Sequence, residues 1–117
     1  MHIKVEIKND AAIVTLPESL RHITPESIED AENELVSLIE DPKISKMVID
    51  LNKMEYGGTP ALALLVHIYL KAKKRNKKLR FCDFHPFAEE VLQKTHLNNL
   101  FEIYKCREDA LKGFISS

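Results

Sequence analysis

The sequence predicts an α/β protein with a mixed sheet of four to five strands, opened by an antiparallel hairpin and packed with about four helices. Three observations carry this prediction. The first residues alternate between apolar and charged, two Thr-Pro steps each precede a helical pattern, and short apolar runs alternate with helical patterns afterwards. The expected element order is ββαβαβαβα, in a single domain over residues 1–117.

The first half of the chain predicts a hairpin followed by an acidic helix. Residues 3–8 alternate in the period-two pattern of a half-buried strand, Asn9-Asp10 is a turn signal, and AAIVTL is a second strand. Thr24-Pro25 then reads as a helix N-cap followed by proline at the first helical position. Apolar residues recur at helical spacing until Pro42.

The second half predicts alternating strands and helices. KMVIDL is an apolar strand ending in an aspartate, and NKMEYGG connects it to a helix that is apolar nearly all round from Ala61 to Leu70. We expect the first half of that helix to be buried. LRFCDF and LFEIY follow as strands. The helix between them should point Phe87, Val91 and Leu92 inward, and REDALKGF should form a closing helix.

Composition and cysteine usage point to a cytoplasmic protein. The formal net charge of -1 provides no general attraction to nucleic acid. Two cysteines beside apolar residues suggest reduced thiols rather than a disulfide framework. The N-terminus lacks the apolar core of a signal peptide, and the longest apolar run, PALALLVHIYL, is too short to cross a bilayer, so we expect no direct membrane insertion.

No catalytic, cofactor or metal signature is present in the sequence. GxxxxGK[ST], GxGxxG, HExxH and GxSxG are all missing, and no two histidines have metal-binding helical spacing. His67, in an apolar helix, reads as a packed or half-exposed core residue. We therefore predict no enzyme, no catalytic residue, no cofactor and no metal.

One stretch, EYGGTPALALL, has an unusual arrangement at the start of the most apolar helix. Thr59 can cap the helix through its hydroxyl, and Pro60 suits the first helical position because its missing N–H would be unpaired anyway. Gly57 and Gly58 permit a sharp turn and leave accessible backbone around Thr59. This explanation needs no function, although the same features would also suit an exposed binding surface.

From Val48 onward the chain resembles the STAS domain, the family of bacterial anti-sigma factor antagonists and of the cytoplasmic modules of sulfate transporters. The likeness covers roughly the last two-thirds of the chain without gaps. The segments that match the family pattern are Ile49-Asp50-Leu51, Leu62 to Leu65, Leu79-Arg80-Phe81, Val91-Leu92, Leu97, Leu100 to Tyr104 and Ala110-Leu111.

The resemblance implies a partner-switching role centred on Thr59. Counted from Asp50, the family's Asp-Ser-Ser-Gly falls on Gly58-Thr59-Pro60-Ala61. A partner kinase phosphorylates the first serine of that motif in the antagonists, so Thr59 is a candidate phosphoacceptor as well as a plain N-cap. The implied partner-binding residues are Tyr56, Gly57, Gly58, Thr59, Pro60, Ala61 and Leu62.

Three functions remain open at this point. The first is a non-enzymatic anti-sigma factor antagonist in transcription regulation, which binds an anti-sigma factor or serine/threonine kinase-like ATPase. The second is a constitutive STAS subunit of a bacterial phospholipid ABC transporter. The third is a small-molecule or nucleotide sensor, suggested by the Gly-Gly-Thr loop together with the basic run. The basic run from Lys71 to Arg80 is either a solvated helix end or a docking patch for an acidic partner or a membrane surface.

Overall fold

The computed structural model describes residues 3–16, 25–52 and 59–114, of which residues 25–28 and 59–61 are described by their backbone alone. The order of elements is the predicted ββαβαβαβα, with one added 3₁₀ turn at Leu97–Asn99. The strands are β1 (Lys4–Lys8), β2 (Ala11–Thr15), β3 (Lys46–Asp50), β4 (Lys78–Cys82) and β5 (Glu102–Tyr104). The helices are α1 (Pro25–Glu40), α2 (Thr59–Lys74), α3 (Pro86–Lys94) and α4 (Arg107–Leu111).

The five strands form one mixed sheet in the order β1-β2-β3-β4-β5. β1 pairs with β2 in antiparallel fashion, as the alternating pattern predicted, and every later pair is parallel. Each parallel pair is joined through a helix, as the geometry of parallel strands requires. The carboxyl ends of β2 to β5 therefore lie together along one end of the sheet.

The two faces of the sheet are packed unequally. One face carries the main core, in which helices α1 and α2 cover residues such as Val14, Ile49 and Phe81. The other face carries a smaller cluster in which Ala110 and Phe114 cover Val48 and Cys82. Because side chains alternate across a strand, Asp50 faces the same side as Val48, towards α4.

Three burial expectations were wrong in detail. The first strand was expected to be half-buried, but all five residues of β1 are exposed. Leu64, Leu65 and Ile68 of α2 are buried, but Ala63 and His67 on the other side of this helix are exposed. An apolar sequence therefore does not make this helix buried all round, since α1 and the sheet cover only one side of it.

Phe87 was also expected to point inward, and its residue is 54% exposed. Helix α3 instead packs through Leu92, which is buried, and Ala88, which is partly buried against the main core. These two residues are four apart and share one helix face, whereas Phe87 lies about 100° around the axis from Ala88.

Among the described residues, no helix combines the length and the hydropathy needed to cross a bilayer.

Candidate functional site

Polar side chains line the carboxyl end of the sheet. Thr15, Asp50, Cys82 and Tyr104 are the last residues of four neighbouring parallel strands, and they are aligned in one cross-strand row. All four point to the same face because they are in register. This row gives the carboxyl end a polar centre on the face that α4 covers.

Asp50 is the centre of this row and is almost fully buried, with 5% of the residue exposed. One carboxylate oxygen accepts a hydrogen bond from the backbone N–H of Asn52 at 2.7 Å, and the other accepts one from Nε of Arg107 at 2.9 Å. The Arg107 guanidinium also donates to the hydroxyl of Thr15. Through Arg107, the first residue of α4, an ion pair joins the helix to β3 and a hydrogen bond joins it to β2.

Asn52 sets the direction in which the chain leaves β3. It has the left-handed φ of 53°, which asparagine tolerates better than most residues. Its side-chain amide donates to the carbonyl of Leu16 at 3.3 Å, while its backbone N–H is held by Asp50. The segment that connects β3 to α2 therefore starts from a fixed point. We call the contacts of Asp50, Asn52 and Leu16 the platform.

The predicted binding stretch, Tyr56 to Leu62, begins four residues after Asn52. Tyr56, Gly57 and Gly58 lie outside the described residues. Helix α2 starts at Thr59, one residue earlier than the expected start at Pro60, and its first turn contains no acidic residue. The positive end of a sixteen-residue helix dipole is thus left without a compensating carboxylate from its own first turn.

Beyond its first turn, part of the surface of α2 is apolar and exposed. Leu62 is partly buried against the main core, whereas Ala63 and Leu70 are exposed, the latter by 54%. His67 lies between them on this side, and its Nδ1 is 2.7 Å from a carboxylate oxygen of Glu32 on α1. This contact ties α1 to α2, so His67 is a half-exposed bridging residue rather than a packed core residue.

Cys82, Asp50 and the neighbouring Asp83 bring their ligand atoms within 4.8 Å of one another. This donor set suits a metal poorly. Burial, reinforced by the charge of Asp50, raises the pKa of the Cys82 thiol to about 12, so the thiol stays protonated at neutral pH. Asp50 is already engaged by Arg107 and Asn52.

The family model of the STAS domain matches residues 2–110. The chain belongs to the STAS domain family. The resemblance inferred from the second half of the sequence is thereby confirmed, and it extends over the hairpin and α1 as well.

Solved structures of anti-sigma factor antagonists share this STAS fold. A STAS domain protein from Planctomyces limnophilus is 23% identical, with a TM-score of 0.81 over 97% of this chain and 98% of its own. Phosphorylated SpoIIAA from Bacillus is 11% identical, with a TM-score of 0.75 over 97% of this chain and 100% of its own. Moorella thermoacetica RsbS, solved as a serine-to-glutamate variant, is 17% identical, with a TM-score of 0.81 over 97% and 94%.

The basic run of this STAS domain lies far from Thr59. Lys73 and Lys74 end the helix that Thr59 begins, and fifteen residues of helix rise separate the two ends by about 22 Å. Arg80 belongs to β4 rather than to the exposed run, since it donates to Glu102 at 3.0 Å and packs 4.1 Å from the centre of the Phe114 ring. A joint site of the Gly-Gly-Thr loop and the basic run is therefore not supported.

Sequence reasoning missed the Arg107–Asp50–Thr15 network of the STAS domain. Asp50 was noticed only as the end of a strand, and Arg107 only as the start of a helix. The two residues are 57 positions apart, so no local pattern connects them. The one available signal was Asp50 directly after the apolar residues Met47, Val48 and Ile49, because a buried charge must find a partner.

Proposed function

We propose that this STAS domain is a non-enzymatic, cytoplasmic regulator of the anti-sigma factor antagonist type. It binds an anti-sigma factor or a serine/threonine kinase-like ATPase, and phosphorylation of Thr59 releases that partner. The observation that carries the proposal is the position of Thr59 as the first residue of α2, the helix that follows β3 and its Asp50–Asn52 contact along the chain. ATP and catalytic groups belong to the partner, and the domain itself needs no cofactor.

The electrostatics of the α2 terminus favour a phosphate without requiring one for folding. Free N–H groups and the helix dipole favour an anion at the first turn, and α2 has no acidic side chain there. A phosphate adds about 1.5 to 2 negative charges and strong acceptor oxygens. Phosphorylation at Thr59 should therefore leave the domain folded.

The same phosphate would oppose a protein partner docked over this terminus. On docking, the added charge would have to be desolvated or matched by cations on the partner. The exposed apolar positions Ala63 and Leu70 continue the surface along α2, and a partner covering them would also cover the region of Thr59. Binding and phosphorylation would thus exclude each other.

The named structural relatives fit this proposal. SpoIIAA has been solved in phosphorylated and unphosphorylated forms, and both share the fold with TM-scores of 0.75. A glutamate that replaces serine, as in the RsbS variant, is a common mimic of a phosphate group. Counted from Asp50, Thr59 falls on the first serine of the family motif, although Gly58 replaces the family aspartate.

A second candidate is a constitutive subunit of a bacterial phospholipid ABC transporter. The uncovered apolar side of α2, from Ala63 to Leu70, favours it, because permanent interfaces are more apolar than transient ones. In that role Thr59 would only begin the helix. The two candidates make opposite predictions for a charge at position 59.

The deciding experiment compares proteins that copurify with wild type, Thr59→Glu and Thr59→Val from the native cells. Valine keeps the shape of threonine and removes the hydroxyl, so it is the matched control. We expect wild type and Thr59→Val to retain a kinase-like ATPase that Thr59→Glu loses. Thermal unfolding of all three variants checks that each remains folded.

Equal retention by Thr59→Glu of a partner with transporter ATPase sequence would support the constitutive subunit. Equal retention of every partner, none of them a transporter component, would contradict both the switch and the transporter assignment.

A further inference from the structure

The hairpin strand β1 leaves an open edge on the sheet, with apolar side chains on one face and charged side chains on the other. All five of its residues are exposed, including Val5 at 42% and Ile7 at 53%. Its inner side pairs with β2, and no strand among the described residues pairs with its outer side. Such an edge is a template for another strand.

The opposite edge of the sheet is less suited to strand addition. β5 contains only the three residues Glu102–Tyr104, and two of them are partly covered. Short, partly covered edge strands are the usual protection against pairing. β1 is longer, and its apolar side continues into Ile3, which packs against the main core.

The sequence of β1 is complementary to itself in one antiparallel register. In a two-fold arrangement centred on Val5, Lys4 of each copy faces Glu6 of the other, and Ile3 faces Ile7. Opposite charges thus meet on one face of the joined sheet, and apolar residues meet on the other. Directly opposed residues of this kind stabilise antiparallel pairs.

The neighbouring registers are worse. A two-fold centred on Glu6 would place Lys4 against Lys8 and Glu6 against Glu6, so every charged residue of β1 would face a residue of the same charge. A two-fold centred on Ile7 would pair Val5 with Asn9, which lies in the turn with a left-handed φ of 55° and so ends the strand. Within one chain, Glu6 lies 3.8 Å from Lys8, but both side chains are more than half exposed and this contact is weak.

We propose that two copies of this chain associate through antiparallel pairing of their β1 strands in the register centred on Val5. The product is a closed two-fold dimer with a continuous ten-stranded sheet. A two-fold contact uses the same surface on both copies, so assembly stops at two. The carboxyl-end site and α2 are not part of this surface.

The test is sedimentation velocity of the full chain over a range of concentrations, with charge exchange in β1. Lys4→Glu and Glu6→Lys each turn two attractive pairs into repulsive ones, and we expect each to weaken the dimer by roughly tenfold or more. The double variant Lys4→Glu/Glu6→Lys restores opposite charges and should restore the dimer. Lys105→Glu, an exposed charge reversal next to β5, is the matched control and should leave it unchanged.

A wild-type chain that stays monomeric at high concentration would overturn the proposal. Dimers that survive both single reversals would place the contact elsewhere. Loss of the dimer in the double variant, while circular dichroism shows that it is folded, would refute the register.

Discussion

The two ends of the sheet are each tied together by a carboxylate, but they differ in burial and in charge. At the carboxyl end, Asp50 is buried and held by Arg107 from across the fold. At the amino end, Asp10 is only partly buried and accepts a hydrogen bond from Ser45. Lysines surround the amino end, with Lys46 and Lys78 directly opposed on neighbouring strands.

The difference shows which end can serve as a platform. A buried and fully paired carboxylate fixes its neighbours, since breaking it leaves a charge without water or a partner. A partly exposed carboxylate costs little to lose because water replaces its partner. The end next to Thr59 is therefore the end with the stronger positional constraint, and each prediction below tests a part of that contrast.

The largest expected effect comes from Arg107→Ala, which removes the partner of Asp50. We expect the free energy of unfolding to fall by about 2 to 3 kcal/mol, somewhat less than for a wholly buried pair because the Arg107 side chain is 37% exposed. Urea denaturation of the purified chain measures this loss.

Lys77→Ala is the matched control at the amino end. Its ammonium donates to the carbonyl of Asp41 at 2.6 Å, and we expect its loss to cost less than about 1 kcal/mol. Adding Asp50→Asn to Arg107→Ala should recover part of the stability, because the unpaired charge is then gone. If Arg107→Ala cost no more than Lys77→Ala, the contrast between the two ends would fail.

An intermediate effect is expected for Cys82 at alkaline pH. Its folded pKa is raised to about 12 from 9.0 by burial first and by Asp50 second. The folded state keeps its full stability below the unfolded pKa of this thiol. It loses stability as the pH rises from about 9 towards 12, since the thiol of the unfolded chain loses its proton first. By pH 10 the loss should reach about 1 kcal/mol.

The measurement is the difference in unfolding free energy between wild type and Cys82→Ala at pH 8 and pH 10. The alanine variant starts lower because it leaves a cavity, but its stability should fall less over this range. Parallel curves would show that the Cys82 thiol titrates as it does in the unfolded chain.

The smallest effect concerns Asp10 at acid pH. The hydrogen bond from Ser45 lowers the pKa of Asp10 below 3.8. The ionised Asp10 carboxylate therefore contributes to the free energy of unfolding above its unfolded pKa. This contribution is lost as the pH falls through the lower pKa of the folded state. The difference in melting temperature between wild type and Ser45→Ala should therefore be constant from pH 7 to about 5 and should shrink below 3.8. A difference independent of pH would contradict the role of the charge.

Local patterns predicted the fold well because each element is encoded within a few residues. The alternation from Ile3 to Lys8 correctly predicted the strand β1 but not its burial, and Pro25 and Pro86 each mark the first residue of a helix. Phe87 shows the limit of such patterns. Which side of a short helix faces the core depends on where the sheet lies, and a single apolar residue near the helix start does not determine it.

The candidate site was predictable only in part. The approximate start of α2 followed from the Thr-Pro step, and the role of Thr59 followed from the family resemblance, where it stays a prediction. The Arg107–Asp50–Thr15 network did not follow from the sequence, because Arg107 reaches Asp50 only after the chain has added α2, β4, α3 and β5 between them. Contacts between distant residues depend on the completed fold.

The most direct test of the central claim is to incubate the chain with its copurified ATPase and ATP and to locate any phosphate by peptide mass spectrometry. The account predicts one phosphate on Thr59 in wild type and none in Thr59→Val, with the phosphorylated chain no longer retained by the partner. No phosphate on wild type, a phosphate at another residue, or a phosphorylated chain that still binds as tightly would contradict the switch.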